Sequence, residues 1–161
     1  MELETELTCC FTGHRPGKIR STEEAVRAAL RAEIEQAIAD GFTAFITGMA
    51  PGVDTWAALE VLSLQEQHPA VQLVCAVPFE GVEKNRTDEE IAAFRSILQK
   101  AAHIEYVCKK RGRWNFIARD RWMVDHARRV IAVFNGTPGG TEYTLGYAQR
   151  KEREIRMVRE G

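Results

Sequence analysis

Val130-Ile131-Ala132-Val133-Phe134-Asn135-Gly136-Thr137-Pro138-Gly139-Gly140-Thr141 joins a run of apolar residues to a glycine-rich turn, after which a helix-like segment begins. A strand that feeds such a turn at the start of a helix is a common way to hold a phosphate. Glycine lets the backbone come close to the anion, and the free N–H groups of the first helical turn point at it. Two upstream loops have the same character, Thr12-Gly13-His14-Arg15-Pro16-Gly17 and Thr47-Gly48-Met49-Ala50-Pro51-Gly52-Val53-Asp54. One such turn is weak evidence, because strand-to-helix connections in general favour glycine for left-handed backbone angles and proline as punctuation. Three of them after three apolar strands point to a nucleotide-sized site.

From these loops outward, apolar runs alternate with amphipathic segments along the whole chain. That pattern predicts an α/β fold, a mainly parallel sheet with helices on both faces in three layers. Strands are expected at Leu7 to Phe11, Ala44 to Thr47, Val71 to Val77, Ile104 to Val107 and Val130 to Phe134, with a short edge strand at Ile155 to Val158. Ser21 and Glu24 have capping-box spacing ahead of a helix with Val26, Leu30, Ile34 and Ile38 inward, and Asp40-Gly41 stops it. Further helices are expected from Val53 to Gln67, after a second capping box at Thr87 and Glu90, from Asn115 to His126, and from the opening glycine turn to Lys151. With right-handed crossovers the expected strand order is 3-2-1-4-5, which sets strands one and four side by side at the switch point where ligands bind. All three glycine loops then lie on that edge of the sheet, since each directly follows a strand.

The chain has 161 residues, enough for one compact domain, 1–161, that buries roughly 70% of its unfolded surface without disulfide or metal staples. Its 22 basic residues against 23 acidic ones argue against broad attraction to nucleic acid or anionic membrane. The acidic start, Met1 to Glu6, is unlike a secretion signal, and no run approaches about 18 apolar residues, so a cytoplasmic protein without a membrane partner is expected. Cys9, Cys10, Cys75 and Cys108 lack Cys-x-x-Cys spacing and read as free thiols in the core. His14, His68, His103 and His126 offer no helical ligand pair, so no metal is assigned.

Within the loops, His14 and Arg15 put an imidazole and a guanidinium where a phosphate would sit, and Arg15 can give it two parallel hydrogen bonds. Asp54, at a helix start, suits either a helix cap or an acceptor for ribose hydroxyls. Glu142 suits either a general base or a favourable charge at the helix dipole. Arg119, within Arg119-Asp120-Arg121-Trp122-Met123, suits phosphate contact or a solvated helix face, whereas Arg121, Arg128 and Arg129 fit the solvated face better. Arg150 to Arg159 alternates in charge sign and reads as surface. Lys109 to Arg113 with Trp114 is the one cationic, aromatic stretch of a kind that tracks single-stranded nucleic acid. Trp56, Trp114 and Trp122 are accounted for equally by an interface or by core packing.

Taken together, Thr12-Gly13-His14-Arg15-Pro16, the loop from Thr47 to Asp54 and Gly139-Gly140-Thr141 resemble the YpsA-type branch of the SLOG superfamily, over about residues 7 to 150. That superfamily unites the DNA-processing A protein with the lonely-guy cytokinin-activating enzymes. The resemblance implies a Rossmann-like domain that binds a nucleotide or nucleotide-derived ligand, such as NAD, ADP-ribose or a nucleoside phosphate, in a homo-oligomer with no required cofactor. On the residues of this chain, the implied ligand-binding set is Thr12, Gly13, His14, Arg15, Gly48, Gly52, Asp54, Arg119, Gly139, Gly140 and Thr141.

The second loop is similar to the Ser-Gly-x-Ala-x-Gly-Ile-Asp pattern of the DNA-processing A protein, with Thr47 in place of serine, which makes single-stranded DNA an alternative ligand. Lonely-guy enzymes cleave a nucleoside monophosphate with an arginine four residues before a methionine and a glutamate in Pro-Gly-Gly-x-Gly-Thr-x-x-Glu. Arg119 and Met123 match, so Arg119 and Glu142 are the candidate catalytic pair for an N-glycosidase. The turn departs from that pattern, because x-Gly is missing and Thr144 stands where glutamate would be. Glu142 points about 200° around the helix from Thr144, so the turn is better suited to binding than to cleavage.

Overall fold

The computed structural model describes residues 2–159. Six strands, β1 (Thr8–Gly13), β2 (Ala44–Thr47), β3 (Gln72–Val77), β4 (His103–Tyr106), β5 (Arg129–Val133) and β6 (Glu154–Val158), form one sheet in the order β4-β3-β2-β1-β5-β6. Every pairing is parallel, with Cys10 opposite Ile46 on one side and Val130 on the other. Five helices, α1 (Glu23–Ala39), α2 (Val53–Leu64), α3 (Asp88–Lys100), α4 (Asn115–Asp125) and α5 (Gly140–Arg150), alternate with the strands. This is the expected three-layer, Rossmann-like α/β architecture.

The strand order corrects the expectation that strands one and four are neighbours. β5 lies beside β1, and β4 lies at the far edge beyond β3. The physical reason is side-chain polarity. A central parallel strand is covered on both faces and is mostly apolar, and β5 is buried at every position, with Val130 to Val133 apolar and only Arg129, at its start, charged and paired. In β4, His103 and Glu105 share one face and pair at 3.0 Å, and no residue of the strand is fully buried. β6, with Glu154 and Arg156 on one face, closes the other edge; Arg156 pairs with Glu33 of α1 at 3.0 Å.

Successive strand residues point to opposite faces, and two cores result. Cys9, Phe11, Phe45, Leu73, Cys75 and Ile131 face α1, α2 and α3, while Cys10, Ile46, Val74, Ala76 and Val130 face α4 and α5. Helix α1 is capped by Thr22, whose hydroxyl accepts from the Ala25 N–H at 3.1 Å, one residue later than the Ser21 cap expected. Steps of four residues overshoot the helical turn by about 40° each, so Ala37 is buried at the end of that stripe and Ile38 only partly. The Thr87–Glu90 capping box forms as expected, with reciprocal bonds of 3.2 and 3.0 Å.

Helix α2 is buried on nearly all sides, which removes Trp56 from the set of surface aromatics, whereas Trp114 is 62% exposed. Trp122 is partly buried and stacks on His126. Arg129 does not lie on a solvated helix face. It opens β5, buried, with Asp40 at 2.8 Å and Glu154 at 2.9 Å. All four cysteines are free; Cys9, Cys10 and Cys75 are buried, and burial pushes the Cys75 thiol up to about 12. Among the described residues, no helix is long and apolar enough to cross a membrane, and no group of three His, Cys, Asp or Glu is placed to hold a metal.

Candidate functional site

The chain turns back on itself between β1 and β5, because the strands before β5 progress to one side of β1 and those from β5 onward to the other. Such a switch leaves a crevice beyond the carboxyl ends of the two strands. The loops after β1, β2 and β5 all open there. A cleft of about 220 Å³ is lined by Thr12, Gly13, His14 and Arg15 of the first loop, Asp54 of the second, and Gly140 and Thr141 of the third, with Arg119 from α4. Phe11, Lys18, Ala50, Phe116 and Asp120 complete the lining.

Gly13, Gly48 and Gly52 of the first two loops serve the packing of the loops against the protein itself, whereas Gly17 faces open space. A Cβ on Gly13 would lie 2.5 Å from the Val53 side chain, and one on Gly52, where φ is +89°, would lie 2.8 Å from the His14 carbonyl oxygen. The first and second loops therefore interlock, with the Val53 N–H donating to His14 O at 3.4 Å. Gly48 sits behind the cleft, where a Cβ would meet Asp54 Oδ2 at 2.8 Å and Arg119 Cδ at 3.1 Å. The third loop is different. A Cβ on Gly140 would meet nothing, and on Gly139, at φ +146°, only the Lys18 ammonium at 3.1 Å. Open backbone at the amino end of α5, with Lys18 beside it, is where an anion can approach.

Two arginines hold the second loop in shape. Arg119, buried, donates from Nη1 to the Gly48 carbonyl and from Nε to Asp120 at 2.7 Å. Arg86, ahead of α3, donates from Nη1 to the Met49 carbonyl at 2.8 Å. Met49 has φ +63°, a left-handed conformation costly for a residue with a side chain, and these bonds offset it. Thr47 adds to the fixation, accepting from the Met49 N–H at 3.3 Å and donating to Asp54 O at 2.8 Å.

Asp54 is buried, and its Oδ2 accepts from the Ala50 N–H at 3.2 Å. Burial pushes its carboxyl up to about 6, opposed by the Arg119 charge and the Ala50 N–H and assisted by Asp120. His14 is buried against Phe134, and its Nε2 accepts from the Asn135 N–H at 3.1 Å, which ties the first loop to the third.

Glu142 does not line this cleft. It is exposed and borders a separate depression formed with Phe134, Leu145 and Met157. The structure thus brings together Thr12, Gly13, His14, Arg15, Asp54, Arg119, Gly140 and Thr141, with Gly48, Gly52 and Gly139 in the surrounding backbone. Lys18, Phe116 and Arg86 carry no motif in the sequence; Lys18 and Phe116 are marked only by lining the cleft, and Arg86 only by its bond to the Met49 carbonyl.

The comparisons agree with this architecture. The UPF0398 proteins of Bacillus thuringiensis (strain Al Hakam) and Bacillus cereus (strain AH187) are each 24% identical over 131 residues, 80% of this chain and 71% of theirs. Among solved structures, DNA processing protein A of Helicobacter pylori, described for its single-stranded DNA binding mode, superposes with a TM-score of 0.66 at 19% identity. The match covers 95% of this chain and 65% of that one. DNA processing protein A of Streptococcus pneumoniae gives 0.55 at 14% identity, with 94% of this chain spanning half the length of that protein. These likenesses share the fold. The model of the YspA SLOG family matches residues 9–159, nearly the whole chain, and the protein belongs to that family.

Proposed function

We propose that the protein binds a phosphate-bearing nucleotide or nucleotide-derived molecule in the β1/β5 cleft. The observation that carries this reading is the third loop, where exposed Gly139 and Gly140 leave open backbone at the start of α5 beside Lys18 and Arg15. A helix amino terminus attracts an anion through its free N–H groups and its dipole. Charge-assisted bonds from Arg15 and Lys18 add on the order of 1.5 to 3 kcal/mol each. Asp54 and Arg119 stand deeper in the cleft, where hydroxyls of a ribose would meet them. The displaced Glu142 makes binding a better fit than N-glycosidic cleavage. Calorimetric titration with NAD, ADP-ribose and nucleoside monophosphates is expected to show binding that Arg15→Ala and Lys18→Ala weaken at least tenfold. Absence of binding by all of them would remove the proposal.

A second reading, single-stranded nucleic acid, is favoured by the loop from Lys109 to Trp114. There Arg113 lies 4.8 Å over the exposed Trp114 ring and Arg111 lies 5.9 Å from the Phe79 ring. It predicts affinity that falls steeply with salt, and a flat salt response eliminates it. We carry a homo-oligomer in the cytoplasm as part of the first reading; a monomer by light scattering at micromolar concentration would remove that element.

A further inference from the structure

Beside the cleft lies a second, larger cavity of about 640 Å³ lined by Arg15, Arg86, Arg111 and Arg113 together with Phe79 and Phe116, and no carboxylate lines it. The two cavities share Arg15 and Phe116, so they adjoin at those residues. Among the described residues, none of the four arginines makes an ion pair, whereas Arg27, Arg95, Arg129 and Arg156 elsewhere each face a carboxylate.

Cations gathered in a partly enclosed space without a carboxylate in direct contact repel one another. At Arg86, burial above all lowers the pKa; the Arg15 and Arg119 charges add to that and Glu90 and Glu83 oppose it. A bound polyanion relieves that repulsion, and guanidinium groups grip phosphate with paired bonds. Phe79 and Phe116 meet edge to face with centroids 6.4 Å apart, an apolar surface on which a base can lie.

Size makes the two spaces interdependent. The cleft, at about 220 Å³, is smaller than the roughly 300 to 1,000 Å³ typical of small-molecule sites. A nucleotide anchored there by its phosphate exceeds the cleft, and the adjoining cavity across Arg15 and Phe116 offers room for the rest. Building on the phosphate-binding reading of the cleft, we propose that the arginine cavity is a second anion subsite, and that the ligand is a nucleotide carrying two phosphate groups separated by its sugar. One phosphate sits at the glycine loops and the other between Arg86 and Arg111, with the base against Phe79 and Phe116.

The test compares nucleoside 3′,5′-bisphosphates with the 5′-monophosphates of the same bases by calorimetry on the full chain. The bisphosphate is expected to bind about tenfold to a hundredfold more tightly. Arg111→Gln and Arg113→Gln, both at exposed loop positions lining the second cavity, are expected to abolish that advantage while leaving monophosphate affinity within twofold. Equal affinity for the two ligand classes overturns the second subsite but not the cleft. Failure of every mononucleotide to bind overturns the cleft reading as well. A long oligodeoxythymidine that binds more tightly than the bisphosphate, through Arg111 and Arg113, also overturns the proposal and makes the cavity part of a strand groove.

Discussion

Replacing Asp54 with asparagine keeps the size of the side chain and removes its charge at a site where the charge is expensive. Asp54 Oδ2 accepts from the Ala50 N–H at 3.2 Å, a bond that an asparagine oxygen can retain. Burial holds the carboxyl at about 6 against an ordinary value of 3.8, so the ionised form destabilises the folded state by about 3 kcal/mol. The sign follows from proton counts. Above pH 6 both folded and unfolded chains are ionised, and the folded one bears the full cost. Between pH 6 and 3.8 the folded protein keeps a proton that the unfolded chain has lost, so this group's contribution to stability rises as pH falls. Below 3.8 both are protonated and the contribution is constant.

Asp54→Asn is therefore expected to raise stability at pH 7.5 by about 1 to 3 kcal/mol and to flatten the pH dependence between 7 and 4.5. The assay is urea unfolding of both proteins across that range, read as the difference between them so that other titrating groups cancel. Protonating Asp54 also removes a negative charge from an anion cleft, and affinity for a ligand whose own charge is constant in this range, such as the diphosphate of NAD, should strengthen as pH drops through 6. A variant that is less stable at pH 7.5, with an unchanged pH profile, would refute the reasoning and show that attraction between the Asp54 and Arg119 charges outweighs burial.

Gly48→Ala places a Cβ 2.8 Å from Asp54 Oδ2 and 3.1 Å from Arg119 Cδ; it should cost about 1 to 3 kcal/mol by thermal melting and weaken anion binding, and an unchanged melt would show the loop can yield. Glu60 on α2 accepts from Arg27 Nε at 2.7 Å and Arg31 Nη1 at 3.3 Å on α1; both arginines are about one-third exposed, so Glu60→Ala should cost about 1 to 2 kcal/mol, measured by urea unfolding, and a loss that does not shrink in high salt would point to packing instead. Phe45, fully buried and stacked on Phe11 with centroids 6.1 Å apart, should lose about 3 to 5 kcal/mol on change to alanine, and a smaller loss would mean the central core collapses around the gap. Arg119→Ala frees the Gly48 carbonyl and should expose the second loop to faster amide exchange than in the parent protein, whereas unchanged exchange would leave Met49 held by Arg86 and Thr47 alone.

Apolar periodicity in this chain determined the alternation of strands and helices, because burial of one face or both imposes a repeat that local residues carry openly. It also determined that three glycine loops follow strands and so share one edge of a parallel sheet. Position in the sheet depended on a weaker signal: His103 and Glu105 on one face of β4 mark an edge strand, and weighing that polarity against the apolar run Val130 to Val133 of β5 would have set β5 beside β1. Tertiary structure alone decided which glycines face a ligand. Gly13, Gly48 and Gly52 lack side chains because Val53, Asp54 and the His14 carbonyl stand within 2.9 Å of where a Cβ would be, while Gly140 opens on free space; the two kinds are identical in sequence. The same holds for charge. Arg86, ahead of α3, and Arg111 and Arg113, between β4 and α4, come from segments far from Arg15 along the chain, and only the tertiary fold brings them around one cavity, where their repulsion, invisible in a net charge of −1, becomes the feature a polyanion can satisfy.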